Sequence, residues 1–273
     1  MKDKIKLIAI DFDGTFLDNS HLKSDLSYIE KLREMQLSQE IVFASGRATA
    51  GILILLEKLG IKDLARYIIG HNGAEIYDLK EEKVIYQDSI NDETVFGILE
   101  LLEKEKIKNP LSIHDWDKLI TYNYDKRADL ECWANFTTCV KIDDIHKFPK
   151  NKLKLMIFAT NQEVDYIYNL IDKSEYGDKV TQARSINILV EITDKNVNKF
   201  TALEVLCKKL GISVDDVLAF GNAENDVEMI TGVGYGYAMK NSEEHLLKVA
   251  KRITKFTNDE CGVEREIIDI LGN

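Results

Sequence analysis

The stretch Lys6 to Asp11 is a short, almost wholly apolar strand without polar alternation, the mark of a strand covered on both faces. It ends on Asp11-Phe12-Asp13-Gly14-Thr15. Two carboxylates one residue apart at the end of a buried strand repel each other, and a low-dielectric neighbour worsens the repulsion. Such a pair persists only if a cation neutralises it or one member keeps its proton. Oxygen-only ligands suit Mg²⁺, which usually takes one or two carboxylates and leaves its other positions to water and phosphate. Gly14 and Thr15 add a tight turn and a hydroxyl, so the pattern reads as a Mg²⁺-assisted phosphoryl site with an aspartate nucleophile.

The rest of the chain supplies the layers such a strand needs. Apolar residues at Leu22, Leu26, Ile29, Leu32 and Met35 predict a helix over His21 to Met35. Glu40 to Ala44 and Tyr67 to Gly70 read as further buried strands, with a helix from Ala48 to Leu59 between them. This alternation predicts a parallel sheet with helical crossovers. From about Lys83 the pattern changes to strands at 83–89, 119–124, 153–160 and 179–183, with helices at 92–106 and 162–173, an α+β insert. The α/β rhythm then returns with helix Asn198 to Leu210, strand Val217 to Phe220 and helix Asp226 to Gly232. The expected organisation is a discontinuous core, 1–83 and 186–273, interrupted by a cap domain at 84–185. Ligands in open parallel sheets sit at the carboxyl ends of strands, and Asp11, Ser45 and Gly221 all follow predicted strands.

Composition narrows the partners. With 36 basic and 47 acidic residues the net charge is -11, which argues against nucleic acid or an anionic membrane as main partner. No apolar run approaches the ~18 residues of a membrane span. Cys132, Cys139, Cys207 and Cys261 are scattered without a CxxC pair and read as reduced thiols of a cytoplasmic protein, monomer or homodimer.

Three more segments complete the pattern. Ala44-Ser45-Gly46-Arg47 places a hydroxyl and free N–H groups at a helix start, suited to phosphate. Lys199 precedes a core helix, and Phe220-Gly221-Asn222-Ala223-Glu224-Asn225-Asp226 ends a late strand with oxygen ligands. In this order the set resembles the haloacid dehalogenase superfamily, and most of all its Cof-type sugar-phosphate phosphatases with a class IIB cap. His71-Asn72-Gly73-Ala74, Tyr237 to Asn241 and Asn258 to Val263 extend the resemblance over nearly the whole chain.

The resemblance implies a Rossmann-like α/β core with an inserted α+β cap that closes over it. It also implies a Mg²⁺-dependent hydrolase of small phosphate monoesters, sugar phosphates foremost. Asp11 is then the nucleophile that becomes an aspartyl-phosphate, and Asp13 the acid/base, with Thr15 orienting it. Ser45, the Gly46 N–H, Lys199 and Asn225 hold phosphate, and Lys199 also offsets charge. Arg47 is either a surface charge or a substrate contact. The metal set is Asp11, Asp13, Asn222 and Asp226. A phosphomutase, or a catalytically weakened sugar-phosphate binding protein, is the alternative.

The chain departs from the family pattern at three places. Asn222 stands where the pattern has its first acidic residue, Phe200 where a glycine commonly follows the lysine, and Cys261 where aspartate is common. An amide oxygen still ligates Mg²⁺ but brings no charge, so Asp226 is expected to compensate. Gly232-Val233-Gly234-Tyr235-Gly236 precedes a strand instead of following one and reads as a turn, not a dinucleotide loop. His114, in an acidic run that could hold a metal, reads by default as solvated, and Trp116 and Trp133 read by default as cap core, the alternative being an aromatic lid that stacks on a sugar.

Overall fold

In the computed structural model, which describes residues 2–23, 25–185 and 188–272, β1 (Leu7–Asp11) is buried along its whole length, as its unbroken apolar run requires. It is followed by α1 (Ser27–Glu34), β2 (Glu40–Ala44), α2 (Thr49–Lys58), β3 (Tyr67–Gly70), β4 (Glu75–Asp78) and β5 (Lys83–Gln87). The middle of the chain forms α3 (Asp92–Lys104), β6 (Leu111–Asp115), β7 (Lys118–Tyr122), α4 (Ala128–Asn135) and β8 (Thr138–Ile142). It continues with β9 (Leu155–Phe158), α5 (Asn161–Asp172), β10 (Val180–Ser185) and β11 (Leu189–Asp194). The last part holds α6 (Lys199–Leu210), β12 (Val217–Gly221), α7 (Val227–Gly232), β13 (Tyr235–Ala238), α8 (Glu244–Val249) and α9 (Gly262–Leu271).

Seven strands form one sheet in the order β13-β12-β1-β2-β3-β4-β5. Pairing is parallel from β13 through β3, and β4 turns back antiparallel on β3. The neighbours of β1 are β2, early in the sequence, and β12, late in it. The strand order therefore reverses at β1, and the carboxyl ends of β12, β1 and β2 flank one crevice. The second sheet, β10-β11-β9-β6-β7-β8, is antiparallel apart from the parallel pair β7 and β8. Its apolar face packs α3 and α5 through Val95, Ile98, Leu102, Ile113, Ile157 and Ile167. The two α/β stretches of the sequence thus form one mostly parallel sheet, and the insert between them forms the α+β sheet.

The chain divides into two compact units, Met1–Gly46 with Leu55–Ile85 and Asn198–Asn273, and Arg47–Ile54 with Tyr86–Val197. The expected resumption of the core at Ile186 falls outside the described residues. Within the second unit, the Asn135 side chain accepts from the Ala48 N–H at 2.8 Å, and the Arg47 guanidinium donates to the Ala134 carbonyl.

Local hydrogen bonding explains where elements differ from their sequence periodicity. The helix predicted from His21 begins at Ser27, because Asp18 Oδ1 takes the N–H groups of Ser20 and Leu22 and His21 is left-handed at φ 59. The predicted helix over 92–106 stops at Lys104, and Lys106 turns left-handed. Strands β4, β6, β8 and β11 and helix α4 carry no strong sequence signal. In particular β6 and β7 join through Trp116-Asp117, with Trp116 at φ 51, a turn made without the usual glycine. Trp116 sits there 47% exposed and Trp133 on α4 is 76% exposed. Neither tryptophan is core; the turn and the outer face of a short helix hold them in solvent.

His114 is also not solvated. It is buried, and its Nε2 lies 2.9 Å from Glu131 Oε1, which also accepts from Asn135 Nδ2 at 2.8 Å. Lys154, itself paired with Glu191, is buried nearby. Burial opposes the Glu131 charge, but the His114 hydrogen bond and the Lys154 charge outweigh it and bring its pKa down to about 2. A depressed folded-state pKa stabilises the fold above the ordinary value of 4.5, and that contribution disappears as pH falls toward 2. Glu131→Gln is therefore expected to lower stability by about 3 kcal/mol at pH 7 and by less than half of that near pH 3, measured by urea unfolding at the two pH values.

Candidate active site

The loop after β1 is fixed from below by its aromatic residues. Phe12 and Phe16 are fully buried and pack on Phe43 of β2 with ring centroids 5.1 and 4.8 Å away. Asp13 and Gly14, between them, face outward. Gly14 has φ 75, and a Cβ there would lie 2.6 Å from the Asn222 amide, so conformation and contact both demand glycine. The two C-terminal signatures hold this loop from the side. Asn241 donates to the Gly14 carbonyl at 2.9 Å and Asn258 to the Leu17 carbonyl at 2.9 Å. Cys261 takes a left-handed turn (φ 57) into α9, so its position serves the same clamp.

Asp11 lies buried at the end of β1. Lys199, the first residue of α6, reaches it with Nζ 2.6 Å from Asp11 Oδ1 and 2.7 Å from Asp226 Oδ1. Its position is set by Asn198, whose side chain caps α6 at the Thr201 N–H, 2.9 Å away. Gly73 lets the β3–β4 connection come against Asn198, since a Cβ there would sit 2.2 Å from the Asn198 carbonyl. Phe200, which replaces the usual glycine, lays its ring on Gly232. Gly234 and Gly236 likewise press against backbone, at Asp215 and Ile230; the run 232–236 holds the end of α7, a short turn at 233–234 and the start of β13.

Asp226 is wholly buried. Its Oδ2 accepts from the N–H groups of Asn222 (2.9 Å) and Ala223 (3.0 Å), which shapes the loop after β12. Both its oxygens are thus held by protein donors. One ammonium between two buried carboxylates leaves a surplus negative charge. Burial first, and the Asp226 charge second, push Asp11 up to about 7 against the pull of Lys199. Although burial opposes its charge, Asp11 and Asp226 hold the Lys199 ammonium above its ordinary pKa.

The donor set answers that surplus. The outer amide atom of Asn222 lies 3.0 Å from Asp11 Oδ2, from the Asp13 carbonyl and from Thr15 Oγ1. Ligands at the 2.0–2.1 Å that Mg²⁺ demands stand about 2.9 Å from their octahedral neighbours. The Asn222 amide stands at this spacing from both Asp11 Oδ2 and the Asp13 carbonyl, so with its oxygen turned toward them the three groups offer oxygens suited to that ion. Among the described residues no group of three His, Cys, Asp or Glu side chains is spaced to hold a metal; this set works through backbone and amide oxygens instead.

Ser45 and Gly46 follow β2. The Ser45 N–H donates to Ile69 and its carbonyl accepts from Asn72 at 3.0 Å. Asn72, left-handed at φ 58, also receives Asn225 Nδ2 at 3.0 Å. A Cβ on Gly46 would lie 2.9 Å from Asn72 Oδ1. One residue, through its backbone N–H and its side chain, therefore joins the Ser45 and Asn225 segments, a role the sequence did not show beyond its hairpin motif. A second unforeseen neighbour is His21, whose Nδ1 is 3.0 Å from Asp13 Oδ1. Of the sequence-derived residues, Asp11, Asp13, Thr15, Lys199, Asn222 and Asp226 meet directly, while Ser45, Gly46 and Asn225 meet around Asn72. Arg47 belongs to the other unit.

The pattern of haloacid dehalogenase-like hydrolases matches residues 8–267. The chain belongs to that family. Among curated proteins, this haloacid dehalogenase-like hydrolase is 28% identical to the 5-amino-6-(5-phospho-D-ribitylamino)uracil phosphatase YcsE of Bacillus subtilis, over 96% of this chain and 94% of the other. Its fold superposes on a haloacid dehalogenase-like hydrolase of Bacteroides thetaiotaomicron with TM-score 0.86 and 26% identity, covering 97% and 99% of the two chains. It shares its fold with the subclass IIB sugar phosphatase BT4131 as well, at TM-score 0.79 and 21% identity over 97% and 98%. This haloacid dehalogenase-like hydrolase is accordingly a phosphatase of that family. No described helix is long and apolar enough to cross a membrane.

Proposed function

We infer that the chain is a Mg²⁺-dependent phosphomonoester hydrolase of small phosphorylated metabolites, sugar phosphates foremost, acting through an aspartyl-phosphate. The observation that carries this reading is the pair of partners on Asp11: Lys199 on one oxygen, and on the other the Asn222 amide, which also reaches the Asp13 carbonyl. Mg²⁺ supplies positive charge that keeps Asp11 ionised and draws in a phosphate dianion.

Asp11 attacks phosphorus as a carboxylate; a new O–P bond forms as the bond to the leaving oxygen breaks. Asp13 gives its proton to that oxygen, then takes one from a water whose attack on phosphorus frees inorganic phosphate and restores Asp11. The Asp13 carboxyl is partly exposed, with side-chain accessibility of 33%, and His21 holds its Oδ1. It can therefore meet both a leaving group and water. Lys199 offsets negative charge on the nucleophile and the transferring group. Ser45 and the Gly46 N–H take phosphate oxygens.

The test is phosphate release from a panel of small phosphate monoesters, with Mg²⁺ and with a chelator. Mg²⁺-dependent release from at least one sugar phosphate is expected. Saturable binding of those esters without release would overturn the hydrolase reading.

A further inference from the structure

We propose that the Asn222 amide is a built-in stand-in for the cation: in cation-free protein its NH₂ group bridges Asp11 and the Asp13 carbonyl, and cation binding turns the amide over. The proposal rests on the Mg²⁺ reading above and concerns the position where this chain lacks the usual carboxylate.

The amide has two orientations of the same shape. In one, Oδ1 faces Asp11 Oδ2 and the Asp13 carbonyl, each at 3.0 Å, and the Thr15 hydroxyl is the donor among its three neighbours. Oxygens meeting in this way call for a cation. In the other, Nδ2 takes the same place and donates toward Asp11 Oδ2, the Asp13 carbonyl and Thr15 Oγ1, while Oδ1 turns to face donors. Every group is then satisfied by protein alone. Thr15 serves both states, because a hydroxyl both donates and accepts.

The surroundings permit a turn of the amide but not a retreat. A Cβ on Gly14 would come within 2.6 Å of it, and its backbone N–H is tied to Asp226 Oδ2. An aspartate at 222 has no donor in any orientation. It would add a further negative group beside Asp11, whose charge Lys199 already shares with Asp226. The amide thus keeps the nucleophile loop ordered without a cation. By linkage it weakens cation binding by the same factor, since the ion must displace those hydrogen bonds.

The test compares wild type, Asn222→Asp and Asn222→Ala in thermal unfolding under chelator and in Mg²⁺ binding by titration calorimetry, without substrate. Both variants should unfold about 3 °C or more below wild type under chelator. Asn222→Asp should bind Mg²⁺ at least about tenfold tighter than wild type, and Asn222→Ala more weakly. In wild type, the side-chain NH₂ signal of Asn222, identified by its loss in Asn222→Ala, should shift when Mg²⁺ is added. An unchanged or higher unfolding temperature for Asn222→Asp under chelator overturns the proposal, as does an NH₂ signal indifferent to Mg²⁺. If Asn222→Asp does not fold, Asn222→Ala and the NH₂ signal decide it. Failure of phosphate release with these results intact would instead count against the hydrolase reading alone.

Discussion

Asp11→Asn is expected to yield a protein that is more stable under chelator yet releases phosphate at least about 10³-fold more slowly than wild type. The loss follows from the chemistry: an amide is no nucleophile at phosphorus and forms no aspartyl-phosphate. The gain follows from the charge count. Asp11 and Asp226 share one ammonium, and burial with the Asp226 charge lifts Asp11 to about 7. A carboxyl with a raised folded-state pKa favours folding only while protonated. Its ionisation therefore costs stability increasingly as pH climbs from the ordinary 3.8 through 7, and by a constant amount above. Asparagine removes that charge and leaves Lys199 and Asp226 as a neutral pair. At pH 8 under chelator the gain should be on the order of 2–4 kcal/mol, and it should shrink toward pH 4. Denaturant unfolding at both pH values reads it. A variant less stable than wild type at pH 8 would show that the surplus charge is already met elsewhere.

Lys199→Met has the opposite effect on stability. It leaves Asp11 and Asp226 together without a cation, in a place where Lys199 itself is 1% exposed and Asp226 fully buried. Removing one partner of a buried ionic group costs about 3–5 kcal/mol, because the remaining charge stays buried. Adding Asp226→Asn to Lys199→Met should recover much of that loss, because one carboxylate goes while the amide still accepts the Asn222 and Ala223 N–H groups. Equal instability of the single and double variants in urea would show that the lysine acts through packing and not charge. Activity should vanish in both.

The strand-end half of the candidate site was legible because its signals are local. An apolar strand must be buried, so a carboxylate at its end lies at the edge of a sheet; Asp11, Ser45 and Gly221 could be placed that way. The partners of Asp11 were legible only through the order of motifs. Nothing near Asn72 indicates that it would span to Asn225, 153 residues away, at 3.0 Å. His21 was hidden inside an apparent helical repeat, since the Asp18 turn that ends the repeat depends on one side chain's choice of donors. The His114–Glu131–Lys154 cluster was invisible for the same reason: its members are scattered in sequence, and an acidic loop gives no hint that its histidine is buried. Trp133 misled in the other direction, because a large apolar residue on a short helix has an outer face available. The role of Asn222 showed in sequence only as a missing charge. Its geometry puts one side chain where either an amide N–H donor or an amide oxygen can face Asp11 Oδ2 and the Asp13 carbonyl.

The most direct test of the central claim is a rapid acid quench of the protein during turnover of a phosphate monoester with Mg²⁺, followed by peptide mass spectrometry. The account predicts one phosphoryl group, carried on Asp11, present in wild type and absent from Asp11→Asn. Turnover with no phosphoryl group on Asp11, or with the group on another residue, would contradict it.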